Sequence, residues 1–171
     1  MTDMKLKASK ADKATFMAAY GGIYEHSPWI AEAAWKDSNP EDLDTLDSLS
    51  AAMRQAVDGA DEAAKMNLIC AHPDLAGKAA VRGDLTADSK SEQAGAGLDQ
   101  CNAAEFEEFQ RLNADYKTKF GFPFIIAVKG LDRYDILAAF RARLNNDRAT
   151  EFETAIEQIH RIARLRLGDL I

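Results

Sequence analysis

The sequence predicts an all-α protein: a single-domain bundle of seven or eight helices with one buried extended segment at about residues 122–128. Three observations predict it. Apolar residues recur at helical spacing over most of the chain, and Ser, Asp, Asn or Pro stands at the start of each such stretch. The one β-like run, Phe122 to Val128, has no second strand to pair with. At 171 residues the chain suits one domain, 1–171, able to bury a substantial core without disulfides or metals.

The elements follow in order. Ser9 with Asp12 three residues later reads as a capped start for a helix carrying Phe16, Met17 and Tyr20, ended by Gly21-Gly22. Ser27-Pro28 is a cap with proline at the first helical position, where its missing N–H is harmless, and opens a short helix through Trp29, Ile30, Ala33 and Ala34. Asn39-Pro40 repeats that start, and Leu43, Leu46, Leu49, Met53 and Val57 then form an apolar stripe that stops at Gly59. A helix over 60–71 turns Ala63, Ala64, Leu68 and Cys70 mostly inward; Pro73 stops it by pushing the residue before it out of the α region. From Asp74 to Asp88 the chain has little periodicity, and a short helix begins after Asp88 and fades at Gly95 and Gly97. Asn102 with Glu105 caps a long helix carrying Phe106, Phe109, Leu112, Tyr116 and Phe120, which Gly121 ends. Asp132 starts a helix with Ile136, Leu137, Phe140 and Leu144; Asp147 or Thr150 starts the last, through Phe152, Ile156, Ile159, Ile162, Leu165 and Leu167.

Composition narrows the function classes. A net charge of −7 argues against a nucleic-acid or anionic-membrane partner, whose usual mark is a basic patch. The two cysteines, Cys70 and Cys101, form no CxxC and pair with no histidine at metal-ligand spacing; Cys70, in the apolar run 66–71, is expected to be a buried reduced thiol. No stretch approaches the roughly 20 apolar residues of a membrane span. The N-terminal residues lack the apolar core of a signal peptide, and Gly-Asp-Leu-Ile is no peroxisomal address, so a cytoplasmic location is expected.

Four features carry chemistry. His72, in Ala71-His72-Pro73-Asp74-Leu75-Ala76-Gly77, sits at a helix end, where the last carbonyls are unpaired and favour imidazolium, a proton donor near neutral pH. His26 and His160 read as surface or core-edge residues. Ser89, Glu92 and Gln93, at i, i+3 and i+4, share one helix face, and the following Ala94-Gly95-Ala96-Gly97 keeps bulk away from it. A carboxylate beside a histidine orients the ring and raises its pKa. The run Phe120-Gly121-Phe122-Pro123-Phe124-Ile125-Ile126-Ala127-Val128 falls outside helical periodicity, so its backbone needs partners, supplied either by a planar, amide-rich ligand or by side chains and water. Arg164 and Arg166 are two apart and cannot share a face; whichever points inward is a fork for a carboxylate, and spacing does not choose between them.

His-Pro-Asp-Leu-Ala-Gly, Ser-x-x-Glu-Gln and Phe-Gly-Phe-Pro-Phe, in this order and spacing, closely resemble the family of 2-oxo-4-hydroxy-4-carboxy-5-ureidoimidazoline (OHCU) decarboxylases. Gly21-Gly22-Ile23-Tyr24-Glu25-His26-Ser27-Pro28-Trp29 is similar to the family's N-terminal pattern, and the likeness spans a core of about 10–170. The resemblance implies decarboxylation of OHCU to (S)-allantoin in urate (purine) breakdown, by a homodimer using neither cofactor nor metal. It implies His72 as the catalytic histidine assisted by Glu92, with Pro73, Ser89, Gln93, the backbone of Phe124, Ile125, Ile126, Ala127 and Val128, and Arg166 binding substrate. Arg164 would then be a surface residue. Two rival readings stay open at this stage. One is a hydrolase of ureido compounds, which would usually recruit a metal or a nucleophile. The other is a helical interaction module docking a partner on 122–128.

Overall fold

The computed structural model describes residues 1–171, apart from the side chains of Lys78 and Ala79. The chain divides into two compact units, residues 1–71 with 159–171, and residues 72–158. Nine α-helices occur among the described residues, one more than the largest number expected, and they are joined by irregular segments and short 3₁₀ turns. No helix is long and apolar enough to cross a membrane among the described residues.

The first unit contains α1 (Lys13–Tyr20), α2 (Trp29–Asp37), α3 (Leu46–Asp58), α4 (Glu62–Cys70) and the end of α9 (Arg148–Gly168). The cap of α1 is Asp12, whose carboxylate accepts from the Thr15 N–H at 2.8 Å. Ser9 is not the cap, because Asp44 engages it instead, taking its N–H at 2.9 Å and its hydroxyl at 2.6 Å. Ser27 likewise gives its hydroxyl to the Glu25 carbonyl at 2.8 Å rather than capping α2. Asn39-Pro40 opens only a 3₁₀ turn, Pro40–Leu43, and α3 has its own cap in Thr45. Along α3, Leu49, Met53 and Val57 are fully buried as the stripe requires, each contributing about 1.5–3 kcal/mol.

Cys70 corrects an expectation: it is exposed, as is Ala63, while Leu68 and Ile69 are buried. At about 100° per residue, Cys70 stands about 200° around the helix from Leu68, so an apolar run cannot bury all its members.

The second unit contains α5 (Lys78–Arg82), α6 (Ala87–Gly95), α7 (Ala103–Phe120), α8 (Arg133–Arg143) and the start of α9. The additional helix is α5, within the stretch expected to be irregular; it ends at Gly83, whose φ is +75°. Helices α7 and α8 begin at the foreseen caps, Asn102 and Asp132, the latter in a full capping box. Asp147 rather than Thr150 starts α9, accepting from the Thr150 N–H at 2.7 Å.

The core of this unit is aromatic. Tyr116 has the rings of Phe120, Phe122, Phe124 and Phe140 around it at 4.5–5.9 Å. Phe124 stacks on Phe140 at 3.9 Å, and the Arg143 guanidinium lies 4.3 Å from its ring centre. Glu151, with 0% exposure, accepts the Tyr116 hydroxyl at 2.6 Å, Arg143 Nε at 2.8 Å and Asn146 Nδ2 at 3.1 Å. Burial, and then the neighbouring carboxylate, hold the Tyr116 phenol well above its usual range.

The apolar stripe expected for α9 is only partly the buried one. Ala155, Ile159, Ala163 and Leu167 face inward together with Glu151, His160 and Arg166, whereas Phe152, Ile156, Ile162 and Leu165 are half-buried. Ion pairs and hydrogen bonds admit those polar groups, which counting apolar residues does not foresee. Glu151→Ala should therefore destabilise the protein by about 3–5 kcal/mol in denaturant unfolding, because it strips the mostly buried Arg143 of its carboxylate and Tyr116 of its acceptor. A loss below about 1 kcal/mol would contradict this reading of the ion pair.

Candidate active site

In the second unit the site is built on a turn. Helix α4 ends with the Ala71 N–H bonded to the Asn67 carbonyl at 3.0 Å, and His72-Pro73-Asp74-Leu75-Ala76-Gly77 follows. His72 is 9% exposed, and Leu75 and Ala76 are buried. Gly77 is required: a Cβ there would stand 2.6 Å from Asp74 Cβ. Ala76 has φ +50°, a left-handed conformation costly for a residue with a side chain.

Side chains hold this turn. Gln93 Oε1 accepts the Ala76 N–H at 3.1 Å, and Gln93 Nε2 donates to the Asp74 carbonyl at 3.3 Å. From α7, Gln110 Nε2 donates to the Ala76 carbonyl at 2.8 Å and Asn113 Nδ2 to the Leu75 carbonyl at 3.0 Å, while Lys117 pairs with the Asp74 carboxylate. Gln93 thus joins the histidine turn to α6, whose cap Thr86 accepts from the Ser89 N–H at 3.2 Å. Ser89 and Gln93 are buried, and Glu92 on the same face is half-buried. None of His72, Ser89 and Glu92 is without a partner.

The segment 122–128 is buried apart from half-exposed Ile126 and belongs to no helix. Side chains meet part of its backbone: Arg143 Nη1 donates to the Ile125 carbonyl at 2.6 Å, and the Ala127 N–H donates to Gln158 Oε1 at 2.9 Å. Gln93 and Ala76, with Ala94, Leu98, Cys101 and Phe106, also line a mostly apolar cavity of about 270 Å³. Burial raises the Cys101 thiol there.

In the first unit, geometry separates the two arginines. Arg166 is 6% exposed; its Nη2 donates to Glu25 Oε2 at 2.9 Å and its Nη1 to the Ile23 carbonyl at 3.2 Å. Arg164 is half exposed and pairs with Asp47 at 2.5 Å. His160 is at the core edge as expected, but it is not idle: its Nδ1 shares a proton with the Tyr24 hydroxyl at 2.8 Å and its Nε2 lies 3.1 Å from Asp58 Oδ1. His26 is exposed. Among the described residues, no three His, Cys, Asp or Glu side chains are grouped to hold a metal ion.

Several residues that matter here were not singled out from the sequence. Glu25 lies inside the Gly-Gly-Ile-Tyr-Glu stretch, where only the pattern pointed to it. Asn113 did carry a signal, a polar residue between Phe109, Leu112 and Tyr116 on the buried face of α7. Gln110, Arg143 and Gln158 look like ordinary surface residues in one dimension.

By its relatives the chain is an all-helical carboxy-lyase. More narrowly, it belongs to the OHCU decarboxylase family, whose model matches residues 9–168. It is 42% identical over 163 residues to the 2-oxo-4-hydroxy-4-carboxy-5-ureidoimidazoline decarboxylase of Haloferax volcanii, covering 95% of this chain and 93% of that one. It is 41% identical over 163 residues to a uric acid degradation bifunctional protein of Bacillus subtilis, covering 95% of this chain and 32% of that one. Among solved structures it is similar to an (S)-allantoin synthase, with a TM-score of 0.76 and 34% identity, over 96% of this chain and 52% of that chain.

Burial decides what each arginine's partner is worth. Glu25→Ala, which unpairs buried Arg166, should cost about 3–5 kcal/mol in urea unfolding. Asp47→Ala, which unpairs exposed Arg164, should change stability by less than about 1 kcal/mol. Equal effects from the two substitutions would contradict the assignment of Arg166 as the inward residue.

Proposed function

We propose that the protein decarboxylates OHCU to (S)-allantoin in urate catabolism, without a cofactor, using His72 as the acid–base group. The family match and the names of the relatives support the reaction. The observation that carries the assignment of residues is Gln93, whose two hydrogen bonds tie the histidine turn to the helix face bearing Ser89 and Glu92.

The substrate supplies its own electron sink. One ring carbon bears both the hydroxyl and the carboxylate, and its neighbour, which bears the ureido group, is doubly bonded to nitrogen. When the bond to CO2 breaks, its electron pair forms a carbon–carbon double bond, and the C=N pair moves to nitrogen, which takes a proton. The hydroxyl then loses its proton to become the carbonyl of allantoin, and the ureido-bearing carbon gains one. One proton is consumed overall for each CO2 released. Delivery to that carbon from one face sets the S configuration.

The protein's work is therefore to orient the ring, stabilise developing charge and move protons. His72, oriented by Glu92, takes the hydroxyl proton and supplies the proton to carbon. Pro73, Ser89, a second N–H of Gln93 and the Phe124–Val128 backbone fix the ring and its ureido arm; at Ala127 the N–H is already given to Gln158, so its contact is through the carbonyl. Arg166 anchors an oxygen. Because Glu25 balances its charge, it acts as a directional donor more than as a bare cation. The same reading makes the protein a homodimer, as the family resemblance implies, and places it in the cytoplasm; its net charge of −7 does not suit a nucleic-acid partner.

The test is to form OHCU in situ from urate with the two preceding enzymes and follow product chirality by circular dichroism. The protein should hasten appearance of the S enantiomer, and His72→Asn should lower kcat by about 10²–10⁴-fold. Near-parental turnover by a folded His72→Asn variant would reject the role.

A further inference from the structure

The turn that carries His72 is held by more than the motif residues. We propose that Gln110 and Asn113 of α7 are positioning residues for the reaction: they fix the backbone at residues 74–76 and through it the place and tautomer of the His72 imidazole. The inference rests on the reading of His72 as the acid–base group.

Gln110, Asn113 and Lys117 stand at i, i+3 and i+7, so one face of α7 presents all three side chains. They engage successive residues of the turn in reverse order, the Ala76 carbonyl, the Leu75 carbonyl and the Asp74 carboxylate. The orientation of the Asn113 amide is unambiguous, because its partner is a carbonyl and only Nδ2 can donate to it. Asn113 is 5% exposed, and its Oδ1 has no hydrogen-bond partner among the described residues. A leucine would fill the same space; what asparagine adds is the bond to Leu75.

Ala76 shows why the turn needs holding. Its φ of +50° is disfavoured for any residue with a Cβ. Both of its peptide groups are pinned, the N–H by Gln93 at 3.1 Å and the carbonyl by Gln110 at 2.8 Å. Gln93 belongs to the motif; Gln110 does not. Releasing the carbonyl lets Ala76 relax toward negative φ, and the displacement is passed back along a short, buried turn to His72, four residues earlier. A shift on the order of 1 Å in an acid–base group can cost about 10²-fold in rate while leaving substrate affinity nearly untouched.

The test uses Asn113→Leu and the half-exposed Gln110→Ala, each checked for fold by far-ultraviolet circular dichroism. The chain has three histidines, so ¹⁵N spectra of the imidazoles resolve them individually. In the parent, His72 should show one tautomer. In either folded variant it should become a mixture, while His160, held on both ring nitrogens by Tyr24 and Asp58, should not change. Turnover should fall about 10–100-fold with KM within about threefold. His72 signals identical to the parent's in both folded variants, or mixed tautomers already in the parent, overturn the proposal. If His72→Asn proves as active as the parent, the catalytic reading fails, yet the ring signals still decide whether α7 positions the imidazole.

Discussion

A protein made of helices has a difficulty wherever its chain leaves a helix and stays buried: the backbone N–H and C=O groups there still require partners. Two such segments dominate the second unit, the histidine turn and residues 122–128. With no sheet to join among the described residues, both are paired by side chains. Gln93, Gln110 and Asn113 serve the turn, and Arg143 and Gln158 serve Ile125 and Ala127. The Ile23 carbonyl in the first unit is met in the same way, by Arg166. Amide and guanidinium groups thus do here what strand neighbours do in a β protein.

That solution also suits the proposed chemistry. A decarboxylation that stores its electrons in the substrate asks the protein for placement rather than for a strong reagent, and placement is what irregular backbone clamped by side chains provides. The polar groups that hold it are themselves held. Glu151 joins Tyr116 to Arg143, the same arginine that reaches Ile125 and lies over Phe124. Glu25 fixes Arg166. Such groups are costly to bury singly and tolerable only when each has its partner.

Much of this was legible in one dimension. Caps at Asn102 and Asp132, Pro73 as a helix stop and the stripe Leu49, Met53 and Val57 all follow from local rules, and the structure agrees with them. The failures are instructive because all but one are tertiary decisions. Ser9 looked like a cap until Asp44, 35 residues away, engaged it. Cys70 looked buried because its neighbours are apolar, but helix geometry turned it outward. The inward face of α9 departs from its apolar stripe because Glu151, His160 and Arg166 are buried by partners that the sequence does not announce. Of the residues around the histidine, the motif members were visible, whereas Gln110 and Asn113 belong to a helix that begins some thirty residues downstream of the turn. Their role depends on register and not on composition.

In the proposed reaction His72 and the Phe124–Val128 backbone meet the same small molecule. Titrating ¹⁵N-labelled protein with (S)-allantoin, the product of the proposed reaction, is the measurement that decides it. Saturable shifts of the His72 ring and of amides within 124–128 are expected, weaker with the R enantiomer, and none at His26. Shifts confined to Leu98, Cys101 and Phe106 around the apolar cavity, with the His72 ring unmoved, would contradict it.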